Sequence, residues 1–186
     1  MLKSEIRKQA LKARLEISEE DYQSLNNGLL NQFISLDFST LKTLHIFLPI
    51  EEKKEPNTFL LIEWLTENYP EIKIIVPKAD FETALMTNHE YLGVDDMQKN
   101  LYNILEPQKG ILHDGEVDMV LVPLLAFDNQ GYRVGYGKGF YDRFLENINA
   151  QKIGLSLSPA IDKIDDVNEY DIRLDYCITP TDIIKF

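Results

Sequence analysis

Five short aliphatic runs constrain this chain most: "TLHIFLP", "IKIIVP", "VDMVLVP", "KIGLSLSP" and "LDYCITP". Each ends on a proline, Pro49, Pro77, Pro123, Pro159 and Pro180. Proline cannot donate to a sheet ladder, so it punctuates strand ends. Several of the runs are apolar without alternation, as strands are when both faces of a parallel sheet are covered. Between the first two, residues 57–69 ("NTFLLIEWLTENY") read as a helix, capped by Asn57 or Thr58 and stopped near Pro70. A second helix is expected over about 139–149. Strand–helix–strand alternation specifies an α/β fold. The expectation is one domain over residues 1–186, with a largely parallel central sheet flanked by helices and preceded by N-terminal helices. If the prolines mark C-terminal strand ends, the following loops gather on one sheet edge, where open α/β sheets bind ligands. A plainer reading is that they only stop strands.

The first 36 residues read as two helices. Leu2, Ile6, Ala10, Ala13 and Ile17 share one face of the first. Ser18 is the expected N-cap of the second, with Glu19, Glu20 and Asp21 in its first turn. Region 80–110 is less legible, with short strands expected at 84–87 and 101–104. No apolar run approaches the roughly 18 residues of a membrane span, and the charged N-terminus lacks a signal-peptide stretch. A single cysteine, Cys177, rules out an internal disulfide and reads as a core thiol, so a cytoplasmic enzyme is the default. The formal net charge of −12 argues against a nucleic-acid partner. Any anionic ligand needs a local positive site against that background.

One such site is "RVGYGKGFYDR", residues 133–143. Alternating Gly135, Gly137 and Gly139 let successive backbone N–H groups converge into an anion-binding concavity. Lys138 adds a point charge, and the helix that follows adds its N-terminal amides. A tight strand-to-helix turn without a ligand would use glycines in the same way. A Walker A loop needs Ser or Thr after Gly-Lys, and the dinucleotide fingerprint needs a different glycine spacing directly after a strand. Kinase signatures are absent. Asp142, one turn into the helix, suits either Mg²⁺ beside phosphates or the helix dipole. Phe140 and Tyr141 are residue types met more often in cores than at ligands.

A second basic element is the N-terminal helix. Lys3, Arg7 and Arg14 fall within roughly 40° of one another and border the apolar face, whereas Lys8 and Lys12 point away. Cations there need a carboxylate partner or a bound anion. On pattern alone, snorkelling beside carboxylates is favoured. His45, His89 and His113 are scattered and form no metal motif.

Residues 118–145, "DMVLVPLLAFDNQGYRVGYGKGFYDRFL", closely resemble the signature of the 5-formyltetrahydrofolate cyclo-ligase (methenyltetrahydrofolate synthetase) family. That signature reads roughly V-P-G-L-A-F-D, two residues, then G-x-R-L-G-x-G-[GK]-G-Y-Y-D-R. "KSEIRKQALKAR", "FLPIEEKKEPNT", "ILEP" and "YDIRLDYCIT" follow the family's order, so the resemblance spans essentially the whole chain. Leu124 stands at a usual glycine, Lys138 at a position shared by glycine and lysine, and Phe140 and Phe47 at frequent tyrosines. The resemblance implies ATP and Mg²⁺ as co-substrate and metal. It implies ATP contacts at Lys3, Arg7, Arg133, Val134, Gly135, Tyr136, Gly137, Lys138, Gly139, Phe140 and Tyr141, and Arg14 of the basic stripe is a further candidate. Folate contacts are implied at Ile50, Glu55 and 136–140, and the metal at Asp142 and Asp171. Lys138 and Arg133 are the candidates for stabilising charge on a transferred phosphoryl group. Glu55 would accept pterin N–H donors, with a salt bridge to Lys53 or Lys54 as its alternative. Two rival readings remain at this point. One is an ATP-independent sugar-phosphate isomerase-like or acyl-transfer enzyme. The other is a non-catalytic folate or nucleotide binder.

Overall fold

A computed structural model describes residues 1–186. The expected α/β architecture is present as an eight-stranded sheet with four helices. Helices α1 (Lys3–Leu15) and α2 (Glu19–Phe33) come first. The sheet strands are β1 (Thr43–His45), β2 (Lys73–Asp80), β3 (Leu85–Glu90), β6 (Leu112–His113), β7 (Met119–Pro123), β10 (Gln151–Leu155), β11 (Tyr176–Ile178) and β12 (Ile183–Lys185). Their spatial order is β12-β11-β10-β7-β1-β2-β3-β6. The central strands β11-β10-β7-β1-β2 pair in parallel; β12 at one edge, and β3 and β6 at the other, are antiparallel. Two small ribbons stand apart, β4 (Met97–Lys99) with β5 (Leu105–Pro107), and β8 (Ala126–Phe127) with β9 (Arg133–Val134).

The missing alternation in "MVLVP" has a direct cause. Met119 and Leu121 of β7 enter one core with α2 and α3 (Thr58–Asn68), including Leu29, Phe33, Leu61 and Leu65. Val120 and Val122 enter the opposite core with Leu145 of α4 (Phe140–Glu146), beside Cys177. With both faces buried, every position of the strand is apolar. Asn57 caps α3 by accepting from the Phe59 N–H at 3.3 Å, and Ser18 caps α2 by accepting from Asp21 at 3.0 Å. Cys177 is fully buried, and burial pushes its thiol pKa up.

Four expectations need correction. Pro77 lies inside β2, not at its end. Pairing with β1 stops at Ile75, so Pro77 occupies an edge position where the ladder needs no donor. Beyond it β2 runs on against β3 to Asp80. Residues 101–104 form the turn between β4 and β5, with Asn103 at φ 59°, while the 84–87 expectation corresponds to β3. Helix α4 has seven residues and ends before Asn147, because asparagines at 147 and 149 favour turns over helix. It therefore offers a weaker dipole than a helix over 139–149 would.

The fourth correction concerns α1. Ile6 is buried, but Leu2 and Ala13 are exposed, and Arg14 is only 6% exposed. The inward face carries Lys3, Ile6, Arg7, Ala10 and Arg14. It lies against β8 and β9, whose flanking carbonyls need donors that an apolar stripe could not supply. No helix is long and apolar enough to cross a membrane.

Candidate active site

Because β2 and β3 overshoot β1, their hairpin rises above the C-terminal edge of the parallel strands. It forms one wall of a cavity of about 470 Å³. The floor is built from Phe47, Leu48 and Ile50 after β1 and from Pro123 at the end of β7. Lys3 and Arg7 of α1, Glu55, every residue from Arg133 to Asp142, and Asp171 border the same space. These are the residues singled out above, except Arg14.

The glycine loop leaves β9 and turns twice through left-handed backbone, with φ of 87° at Gly137 and 71° at Gly139. Only glycine adopts these angles without strain. A Cβ at Gly137 would also lie 3.1 Å from the Arg7 guanidinium carbon. The Nε–H of Arg7 donates to the Gly135 carbonyl at 2.8 Å, and an Arg143 N–H donates to the Lys138 carbonyl at 2.9 Å. With two loop carbonyls tied back, the loop is held open. Neither Lys138, which is exposed, nor the terminal nitrogens of Arg7 have a carboxylate partner. Two unneutralised cations thus border one space in a protein of net charge −12.

The opposite arrangement holds for the two carboxylates. Arg133, 8% exposed, donates to Asp142 Oδ1 at 2.8 Å and to the Ile172 carbonyl at 2.5 Å. Burial disfavours the Arg133 charge, and Asp142 opposes that effect. Lys3 pairs with Asp171 Oδ2, which also accepts from the Asn168 N–H at 2.7 Å. Asp142 Oδ2 and Asp171 Oδ1 take no hydrogen bond within the protein. No cluster of three metal-type side chains exists. Two carboxylates with one free oxygen each suit a hard cation that draws its other ligands from phosphate and water.

Glu55 is 3% exposed and makes no salt bridge with Lys53 or Lys54. Its Oε2 accepts from the Ile50 N–H at 2.7 Å, and its Oε1 accepts from the Tyr136 hydroxyl at 2.8 Å. Lys54 turns away to the Leu15 and Ile17 carbonyls, and the Lys53 ammonium sits 4.1 Å from the centre of the Tyr136 ring. Burial raises the Glu55 pKa, and the two hydrogen bonds with the charges of Arg14 and Lys53 pull it back.

Arg14 holds this assembly from behind. Its three nitrogens donate to the Lys53 carbonyl at 2.9 Å, the Leu124 carbonyl at 3.0 Å and the Tyr136 hydroxyl. It borders no part of the cavity, so the sequence-based expectation that it touches ATP becomes a clamp between the Glu55 segment and the glycine loop. Nor does it have the carboxylate partner that a snorkelling cation would take.

The sequence reading missed the apolar wall. Phe81, after β2, stacks on Tyr102, between β4 and β5, with centroids 4.1 Å apart, and meets Phe140 edge-on at 5.2 Å. All three border the cavity with Met86 and Leu105. The available signal was an aromatic residue at the centre of each of two turns, "ADFETA" and "KNLYNI". Also missed was His45, which hydrogen-bonds the Tyr141 hydroxyl from beneath.

The profile of the 5-formyltetrahydrofolate cyclo-ligase family matches residues 1–180. A 5-formyltetrahydrofolate cyclo-ligase of Mycoplasma pneumoniae is 28% identical, covering 96% of this chain and 98% of that protein. A probable 5-formyltetrahydrofolate cyclo-ligase of Caenorhabditis elegans is 29% identical, covering 100% of this chain and 96% of its own length. Among solved structures, the 5,10-methenyltetrahydrofolate synthetase of Aquifex aeolicus superposes with a TM-score of 0.84 at 30% identity, covering 100% of this chain and 93% of that one. The full-length match, the shared fold and the loop at residues 133–143 lead to one conclusion: the chain belongs to the 5-formyltetrahydrofolate cyclo-ligase family.

Proposed function

We propose that the protein catalyses the ATP- and Mg²⁺-dependent cyclisation of 5-formyltetrahydrofolate to 5,10-methenyltetrahydrofolate, releasing ADP and phosphate. The supporting observation is a single cavity whose wall combines an open glycine loop with unpaired Lys138 and Arg7, a buried Glu55 and an aromatic face. The first group suits a polyphosphate, and the other two suit a pterin and an aryl ring.

The chemical problem is a formamide oxygen that leaves poorly, because nitrogen donates into the carbonyl. Transfer of the γ-phosphoryl group of ATP to that oxygen breaks the β–γ bridge and releases ADP. The carbon becomes imidate-like. N10 then attacks it, the C–O bond breaks, phosphate departs and N10 loses its proton. The product cation is shared by N5 and N10. Protein assistance to such a step is mostly positioning and charge stabilisation. Lys138, Arg7 and the loop amides hold the phosphates and stabilise charge on the moving group. Arg133 keeps Asp142 oriented. Asp142 and Asp171 would hold Mg²⁺, which when bound neutralises phosphate charge and aligns the chain. Glu55 accepts N–H donors of the pterin. Arg14 and Tyr136 hold it in place.

The test is incubation with 5-formyltetrahydrofolate, ATP and Mg²⁺ while following the near-ultraviolet absorbance of the methenyl product. Absorbance should appear, should be lost without ATP or with excess EDTA, and should rise far more slowly in Lys138→Ala. Equal absorbance without ATP refutes the coupling.

A further inference from the structure

His45 has no part in the reaction above, yet it is fully buried directly beneath the cavity. It ends β1 and faces two polar groups. Its Nδ1 lies 2.9 Å from Oδ1 of Asn88 on β3, and its Nε2 lies 3.1 Å from the hydroxyl of Tyr141 on α4. The ring is packed against Phe144 at 4.7 Å between centroids, which prevents it from turning away. No other hydrogen-bond partner of the Tyr141 hydroxyl exists in the protein.

The direction of both hydrogen bonds follows from the Asn88 amide oxygen, rather than its NH₂, facing Nδ1. An amide oxygen only accepts, so the proton on the imidazole sits on Nδ1. A neutral imidazole carries one N–H, so Nε2 presents a lone pair, and Tyr141 must donate to it. With its only proton directed downward, the phenol has only lone pairs left for the cavity that it borders. We infer that His45 is a positioning residue that makes Tyr141 an acceptor for a ligand N–H, and not a donor to phosphate. Burial supports this, because it holds the His45 pKa down at about 4 and so keeps the ring neutral near pH 7. A phenol lone pair repels a phosphate oxygen. It matches an amine N–H, such as the one that cyclisation must deprotonate. Tyr141 thereby moves from the nucleotide contacts to the substrate contacts. The substrate assignment rests on the proposed cyclo-ligase reaction; the direction of the hydrogen bonds does not.

Two measurements test the inference separately from that reaction. Long-range ¹H–¹⁵N correlation of the ligand-free protein at pH 7 should show His45 protonated at Nδ1 and bare at Nε2. An Nε2–H tautomer or an imidazolium overturns the inference, whatever the protein catalyses. A double-mutant cycle then tests its consequence in the wild-type reaction. His45→Leu and Tyr141→Phe should each lower kcat/KM for 5-formyltetrahydrofolate by about tenfold, the loss of one net hydrogen bond. The double variant should be within about twofold of Tyr141→Phe alone. Multiplying losses would mean that His45 acts by packing, and would overturn the inference. His45→Gln, whose amide oxygen can accept the same bond, should recover most of the activity, and decides the case if the leucine variant does not fold. A wild-type protein without turnover would refute the proposed reaction and leave the tautomer result standing.

Discussion

Replacing Arg14 by methionine separates the two roles that this residue could have. Methionine keeps most of the apolar stem and removes all three donors. The Leu124 carbonyl belongs to a residue only 2% exposed, so losing its guanidinium donor there costs about 1–3 kcal/mol. The half-buried Lys53 carbonyl and Tyr136 hydroxyl can turn partly to water and add less. The total is about 2–4 kcal/mol, or roughly 4–16 °C in Tm for a chain of this size. The functional effect follows from the same contacts. Tyr136 loses its donor, and Glu55 loses a positive charge that offsets its burial. KM for 5-formyltetrahydrofolate should therefore rise about tenfold, with KM for ATP within about twofold of wild type. Urea and thermal unfolding, with initial rates for each substrate varied in turn, supply these numbers. An unchanged Tm together with a rise confined to the ATP KM would show that Arg14 reaches the nucleotide, and the clamp reading would be wrong.

Other expectations are narrower. His45 titrates at about 4 when folded and 6.5 when unfolded, so below pH 6.5 the unfolded chain binds a proton that the folded chain refuses. Its contribution to stability should fall by about 2 kcal/mol between pH 7.5 and 5. Glu55, a carboxylate raised by burial, acts with the opposite sign and gains stability as pH falls, so the wild type must be compared with His45→Leu. A pH-independent difference between the two in urea melts contradicts the burial argument. Lys138→Ala should leave stability within about 0.5 kcal/mol of wild type, because the side chain is exposed. The same variant should lower kcat by about 10²–10³ in the absorbance assay. Gly137→Ala places a side chain at φ 87° against Arg7, so it should lose about 1–2 kcal/mol in urea melts and bind ATP more weakly. Cys177 should be inert to Ellman's reagent until urea unfolds the chain, and prompt reaction of the native protein would contradict its burial.

Much of the fold was legible because it is written in local terms. Apolar runs without alternation led to a sheet covered on both sides. Asn57 and Ser18 marked helix starts at the residues that cap them. The glycine loop was legible because left-handed backbone at 137 and 139 leaves few alternatives to glycine. Pro77 misled for a physical reason. A proline stops a strand only where its missing N–H is needed, and here the neighbouring strand had already ended. Arg14 misled because spacing along a helix tells which residues share a face but not what that face meets.

The sequence by itself determined the α/β class, the five parallel strands and the glycine-rich loop, since propensity, periodicity and backbone conformation act over a few residues. Tertiary structure alone decided that Arg14 is a clamp, that Phe81, Tyr102 and Phe140 form one wall, and that His45 lies under Tyr141. Each of these depends on strand order and register bringing together groups tens of residues apart. Which donor then meets which acceptor is decided by burial, because a buried polar group must find its partner inside the protein.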